Sequence, residues 1–291
     1  MTFRKTRRFL VVGAKRLNVL LTGSSGVIGK HLVESFARRY RLVTFDRSPA
    51  QNRQVDVLGD LCDFRALKAA MKGIDVLVHL AATSDEASFT KELLPNNILG
   101  VYNTFQAAHE AGIRRIVFAS SCQTVTMYTR DERIEISQPV RPGSVYGVTK
   151  VFGEVLGRYY HDRFGIEFAG LRLGAFASYN DPDLQRPSWL WRLWLSPRDA
   201  VSLFRCAIEK HKIGYSLVFG TSRTKPEVLA LKPAKERLGF IPQDDVAKAG
   251  VQEFRSSEVR SQKTGRSRAP RRKGLKDDPS RFPARRALCN S

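Results

Sequence analysis

Apolar residues recur along the middle of the chain in two different periods. Short apolar runs near 18–22, 41–46, 53–57, 75–80, 114–119, 167–172 and 215–219 predict buried strands. Amphipathic stretches over 26–38, 63–72, 90–112, 146–163 and near 197–210 predict helices between them. Such alternation builds repeated βα units, which close into a parallel sheet with helices on both faces. The connecting loops then gather at the carboxyl ends of the strands, where a ligand is expected. No repeat beyond this alternation is visible, and from Gly174 onward it breaks, which predicts a small irregular region covering a substrate.

Composition narrows the class. A length of 291 residues allows one large domain or a little more, and 42% hydrophobic content is ordinary for a packed core. No apolar run reaches the ~18 residues of a membrane span; Phe9-Leu-Val-Val-Gly13 stops before Lys15 and Arg16. Cys62, Cys122, Cys206 and Cys289 are far apart and form no Cys-x-x-Cys pair, so no metal or disulfide framework is expected and a reducing cytoplasm is the default.

The formal charge of +21 is unevenly spread. Residues 251–291 hold twelve Lys/Arg against four Asp/Glu, and residues 1–16 hold six with no acid, together fourteen of the twenty-one excess charges. The chain therefore divides into a basic N-terminal extension (1–16), a globular body (17–245) and a basic tail (246–291). Few large apolar residues make the tail read as disordered. Contact with nucleic acid or another polyanion is the functional alternative to a solvated extension, but Phe254 and Phe282 are the only aromatics there for stacking on bases. The N-terminal extension lacks serine and reads as untargeted rather than as an organelle leader.

Chemistry enters at Leu17-Asn-Val-Leu-Leu-Thr-Gly-Ser-Ser-Gly-Val-Ile-Gly29, an apolar run ending in glycines spaced by three. This reads as strand, tight turn and helix. Gly23 and Gly26 let the backbone approach a pyrophosphate, Gly29 lets helix and strand pack, and the helix N-terminus favours the phosphate charge. The next strand ends in Asp46, 17 residues beyond Gly29 and placed to accept hydrogen bonds from a ribose diol. Arg47 could meet a 2′-phosphate, but Asp46 would repel it, so NAD is expected and NADP stays open.

Tyr146-Gly-Val-Thr-Lys150 places a phenol and an ammonium on one helical face. Free tyrosine titrates near 10, and bringing it to about 7 takes on the order of 4 kcal/mol. A cation about 4 Å away in a dry cleft supplies about that much.

These residues, with Asp60-Leu61, His79-Leu-Ala-Ala82, Asn97-Ile-Leu-Gly100 and Phe118-Ala-Ser-Ser121, resemble the extended short-chain dehydrogenase/reductases of the NAD-dependent epimerase/dehydratase type. Arg141-Pro-Gly-Ser-Val-Tyr-Gly147 and Trp194-Leu-Ser-Pro-Arg-Asp199 extend the resemblance to their uronate dehydrogenase-like branch, over roughly residues 17–245. It implies an α/β, Rossmann-type doubly wound parallel sheet with a small C-terminal substrate region. It implies cofactor contacts at Gly23, Ser25, Gly26, Val27, Ile28, Gly29, Asp46 and Arg47, adenine contacts at Asp60 and Leu61, room for the dinucleotide at Ala81 and Ala82, and a further contact at Asn97. Ser121 would hydrogen-bond the substrate oxygen, Tyr146 would take the hydroxyl proton as hydride leaves for nicotinamide, and Lys150 would hold the ribose and lower the tyrosine pKa.

At the substrate end the chain departs from that branch. Cys122-Gln123 follow Ser121 where the branch has Asn-His, and Gly174-Ala175-Phe176 replace Gly-Ser. Ser84 matches a substrate-contacting serine. The arginine that grips a substrate carboxylate has two candidates, Arg186 and Arg192, with Arg186 preferred. The expected function is hydride transfer between nicotinamide and a sugar-like hydroxyl or carbonyl, with uronate the leading candidate. The alternatives are a nucleotide-sugar epimerase or dehydratase, disfavoured by only about 70 residues between the sixth strand and the tail, and a non-catalytic dinucleotide sensor or polyanion binder. Val101, Phe105 and Ala108 on the 90–112 helix suit either association of two copies or packing on the sheet, which leaves a homo-oligomer open.

Overall fold

A computed structural model describes residues 16–49, 54–128, 132–179, 181 and 189–249. The N-terminal extension up to residue 15, Arg186 and the tail from residue 250 lie outside the described residues.

The strands are β1 (Asn18–Thr22), β2 (Arg41–Asp46), β3 (Val57–Leu58), β4 (Val76–His79), β5 (Arg115–Ser121), β6 (Glu167–Leu173), β7 (Ala175–Phe176), β8 (Trp194–Leu195) and β9 (Tyr215–Gly220). Seven of them form one sheet in the order β3-β2-β1-β4-β5-β6-β9, every pair parallel. Successive strands run outward from β1 on one side and from β4 on the other. The order therefore reverses between β1 and β4, and a crevice opens at their carboxyl ends.

The helices α1 (Val27–Phe36), α2 (Phe64–Ala70), α3 (Gly100–Glu110), α4 (Val145–Phe164), α5 (Pro197–Glu209) and α6 (Lys232–Leu238) cover both faces. Side chains alternate across a strand, so Val19 and Leu21 join one core with Leu32 and Phe36 of α1 and Phe204 of α5, while Leu20 joins the other with Phe105 of α3 and Tyr160 of α4. Burial on both faces is why the strands read as continuous apolar runs. A Cβ on Gly153 or Gly157 would fall 2.4 Å from Phe118 or 2.1 Å from Phe168, so these glycines let α4 press directly on β5 and β6. Ser144 caps α4 by accepting from Gly147 N–H.

Three expectations change. The third strand is a two-residue piece at Val57–Leu58 rather than 53–57. The stretch before α3 is wound as a π-helix over Phe89–Leu99, with Pro95 inside it. Val101, Phe105 and Ala108 are fully buried, which settles them as packing on the sheet. The β7–β8 pair and α6 were not expected, because two-residue strands and a seven-residue helix are too short to show a period. No helix among the described residues is long and apolar enough to cross a membrane.

Candidate active site

The glycine turn lies at the strand-order reversal. Gly23 has φ +73°, and a Cβ there would come within 2.5 Å of Ala81 N; a Cβ on Gly29 would lie 2.2 Å from the Gly23 carbonyl. Neither position tolerates a side chain, so turn, α1 and the β4 loop interlock at backbone distance. Gly26 starts α1 with no side-chain cap, leaving the first N–H groups of a ten-residue helix pointing into the crevice, beside the buried Ser24 hydroxyl that has no partner among the described residues. Uncapped donors and an unpartnered hydroxyl suit a phosphate anion. The residues present thus fit a dinucleotide.

Asp46 stands at the end of β2, where Oδ2 accepts from Ser25 N–H at 2.9 Å and Oδ1 from Ser48 N–H at 3.1 Å. Each oxygen retains a lone pair for a ribose hydroxyl. Arg47 is exposed beside it. Val27 is 63% exposed and Ile28 half-buried at the start of α1, and Ala81 and Ala82 are half-buried at the opposite wall. Asp60 accepts from Cys62 N–H at 2.7 Å and is exposed, whereas Leu61 is buried against Gly100.

Asn97 lies in the π-helical stretch, beside the first turn of α4. It is 1% exposed, and its amide is engaged by Thr83 N–H (2.8 Å), Thr83 carbonyl (2.9 Å) and Thr149 Oγ1 (3.1 Å). Thr149 Oγ1 in turn donates to the Tyr146 carbonyl at 2.7 Å. Asn97 therefore ties the loop after β4 to the first turn of α4.

Ser121 ends β5, and its hydroxyl accepts from Gln123 N–H at 3.1 Å. Tyr146 and Lys150 follow on α4. The lysine ammonium is 5.4 Å from the Tyr146 ring centre, donates to the Ala119 carbonyl at 2.9 Å and lies 5.1 Å from the Phe118 ring centre. Burial lowers the Lys150 pKa to about 8. Burial likewise pushes Tyr146 above the range of free phenol, reinforced by Cys122 and Asp85 and opposed by the Ser121 hydroxyl. In the protein without cofactor Tyr146 is a proton donor.

Several residues escaped the sequence reading. One turn beyond Lys150, the buried Glu154 accepts Ser120 Oγ–H at 2.6 Å and a bidentate grip from Arg172 on β6 at 2.8 and 2.7 Å. Its i+4 spacing from Lys150 was the available signal. Beneath the cleft His79 meets Thr22 Oγ1 at 2.7 Å, and burial lowers its pKa to about 3.

The substrate side is organised by carboxylates. Gln123, expected to face substrate, has its amide occupied: Nε2 donates to Asp85 at 3.0 Å and Oε1 accepts from Ser144 at 2.5 Å. Cys122 is buried with Val125 and Leu193, Ala175 packs at the edge of that cluster, and burial pushes the thiol up to about 12. Ser84 is exposed at the rim. Farther on, buried Asp199 accepts from Ser222 Oγ–H (2.7 Å), Gln243 N–H (2.7 Å) and Asp244 N–H (3.0 Å), while Asp244 accepts from Ser196, Tyr179 and Arg198. These bonds pin the segment around residue 243 to the start of α5. Arg192 lies over the Trp191 ring at 5.5 Å. No group of three potential metal ligands occurs among the described residues.

A parallel sheet with a glycine turn at its switch point, an acid closing the second strand and a serine, tyrosine and lysine beyond defines a dinucleotide-binding α/β protein. The chain belongs to the NAD dependent epimerase/dehydratase family, whose profile matches residues 19–196. It is similar to the uronate dehydrogenase of Pseudomonas putida, 35% identical over 78% of this chain and 84% of that one. It is also similar to the L-arabinose 1-dehydrogenase (NAD(P)(+)) of Haloferax volcanii, 33% identical over 79% and 97% of the two chains. The crystal structure of a tyrosine-to-alanine mutant of uronate dehydrogenase from Agrobacterium tumefaciens, complexed with NAD, superposes with a TM-score of 0.72 at 31% identity, covering 88% and 92%.

Proposed function

We propose that this protein is an NAD-dependent sugar dehydrogenase in which Tyr146 is the acid/base, Ser121 binds the reacting oxygen and Lys150 holds the cofactor ribose. The observation that carries this reading is the convergence of Ser121, Tyr146 and Lys150 beside a turn whose donors are left uncapped for phosphate. Bound NAD would supply the hydride acceptor and a positive ring.

The chain's own groups divide the remaining work. Ser121 donates to the substrate oxygen and orients the hydroxyl toward Tyr146. The phenol is held protonated by burial; with a positive ring in the cleft its pKa would fall, its proton would pass to solvent water, and the resulting phenolate would accept the hydroxyl proton. Lys150 is fixed by Ala119, so its remaining N–H donors are aimed rather than mobile. Beneath it the Glu154–Arg172 pair holds α4 to β5 and β6. In the reverse direction the raised pKa makes Tyr146 a ready donor to a carbonyl.

The same reading places the enzyme in the cytoplasm, in keeping with the free thiols of Cys62, Cys122 and Cys206. It gives two copies a shared face where Tyr102, Val155 and Tyr159 are exposed on α3 and α4. The test is Tyr146→Phe: NAD binding is retained by calorimetry and sugar-dependent reduction of NAD is lost. Full activity in that variant overturns the reading. An epimerase on this scaffold is separated by the same assay, because it converts sugar without accumulating reduced cofactor.

A further inference from the structure

We propose that Asp85, held at the mouth of the site by Gln123, selects an uncharged sugar over one that carries a carboxylate. The proposal rests on the sugar dehydrogenase reading and assigns the substrate class of that site.

Asp85 lies in the loop after β4 with φ +65°, in the left-handed region that non-glycine residues seldom adopt. A conformation of that kind persists only where its surroundings impose it. Here they do so through a chain of hydrogen bonds: Gln123 Nε2 donates to Asp85 Oδ1 at 3.0 Å, Ser144 Oγ–H donates to Gln123 Oε1 at 2.5 Å, and Ser144 Oγ accepts from Gly147 N–H at 3.0 Å. The carboxylate is thereby fixed relative to the turn of α4 that carries Tyr146. An amide orients a carboxylate without neutralising it. Among the described residues Asp85 makes no ion pair, and its second oxygen is left for a substrate hydroxyl.

Among the described residues a second carboxylate stands beside Asp85 on the rim. Glu86, exposed, accepts from Tyr146 N–H at 3.4 Å. Cys122, buried among apolar side chains, contributes no charge. Lys150 is buried and directed to Ala119. Asp85 is also among the groups that keep Tyr146 protonated, which places its field at the reacting phenol. A sugar carboxylate entering over Tyr146 thus approaches two fixed carboxylates, whereas a neutral polyol donates hydrogen bonds to them. Two such charges about 7 Å apart at an effective dielectric of about 20 change a binding constant by some tens of fold.

The experiment compares matched pairs, galactose with galacturonate and glucose with glucuronate, as kcat/KM ratios with NAD on the full chain. The neutral sugar is expected to lead by at least about tenfold. Raising the salt from about 20 to about 500 mM is expected to narrow that lead, because screening weakens repulsion. Asp85→Asn and Asp85→Ser are expected to collapse the ratio by roughly tens of fold, with NAD binding confirming that the variants fold. Three results overturn the proposal: a wild-type preference for uronates, a lead for the neutral sugar that widens with salt, or an unchanged ratio in a variant that still binds NAD. Absence of turnover with every sugar overturns the dehydrogenase reading instead, so the two failures are distinct.

Discussion

At one end of the cleft, Gly23, Gly26 and Gly29 bring backbone N–H groups and the start of α1 to the crevice, and the only side chain that must be charged is Asp46. At the other end, β7, β8 and the start of α5 are joined by side chains: Asp199 and Asp244 gather Ser196, Ser222, Tyr179, Arg198 and the backbone near residue 243. The first construction is steric and depends on what is missing from the side chains. The second is polar and depends on what is present. A backbone-lined turn fixes one ligand geometry and carries it unchanged through a family, whereas a polar scaffold can be rewired position by position, so specificity can change while the cofactor stays.

The strongest test of the steric end is Gly29→Val. A Cβ already falls 2.2 Å from the Gly23 carbonyl, and the branched side chain adds to that overlap, so α1 must move away from the turn. NAD affinity should fall by more than about a hundredfold, read by calorimetry, with loss of several kcal/mol in stability. Retained affinity would mean that the turn is not the phosphate site. Next in size is Asp199→Ala at the polar end. It strands the Ser222 hydroxyl, the buried Asp244 N–H and the partly buried Gln243 N–H, so unfolding free energy should drop by about 3 kcal/mol in urea titrations. Sugar turnover should fall while NAD affinity in the folded fraction holds. Equal loss of both would show that the two ends are one unit and not two.

The same contrast explains what could be read from the sequence. The turn, Asp46 and the parallel sheet were legible because glycine spacing and apolar runs constrain the backbone directly. Tyr146 and Lys150 were legible as neighbours on α4, but the pKa relation between them was not. It depends on burial of the phenol and on Cys122 and Asp85, contributed by two separate loops. Asp85 carries no local signal: it acquires meaning from Gln123, 38 residues away. Asp199 and Asp244 are likewise separated by 45 residues and meet only because α5 and the segment after α6 converge. Asn97 was legible as a polar residue near the lysine, but its partners Thr83 and Thr149 lie 14 and 52 residues away and only the fold brings them together.

The smallest effect sharpens the comparison by pH. His79 forms the floor of the steric end, stacked on Phe118 with ring centres 6.0 Å apart, and its Nε2 has no partner among the described residues. Its pKa is about 3 in the fold, because burial and then the charge of Lys150 disfavour the imidazolium, against 6.5 for the free side chain. The folded state therefore binds no proton where the unfolded state binds one. Stability from this group is complete above about pH 6.5 and is lost as pH falls toward 3, at about 1.4 kcal/mol per unit. Between pH 7 and pH 5 that loss amounts to about 2 kcal/mol in urea unfolding. His79→Phe keeps a flat ring between Phe105 and Phe118 and removes the titration, so its loss over the same range should be smaller by that amount. An identical loss in both proteins would move the acid sensitivity to the polar end, where Asp244 is held, against the opposing effect of burial, below the usual carboxylate range by its hydrogen bonds from Ser196, Tyr179 and Arg198.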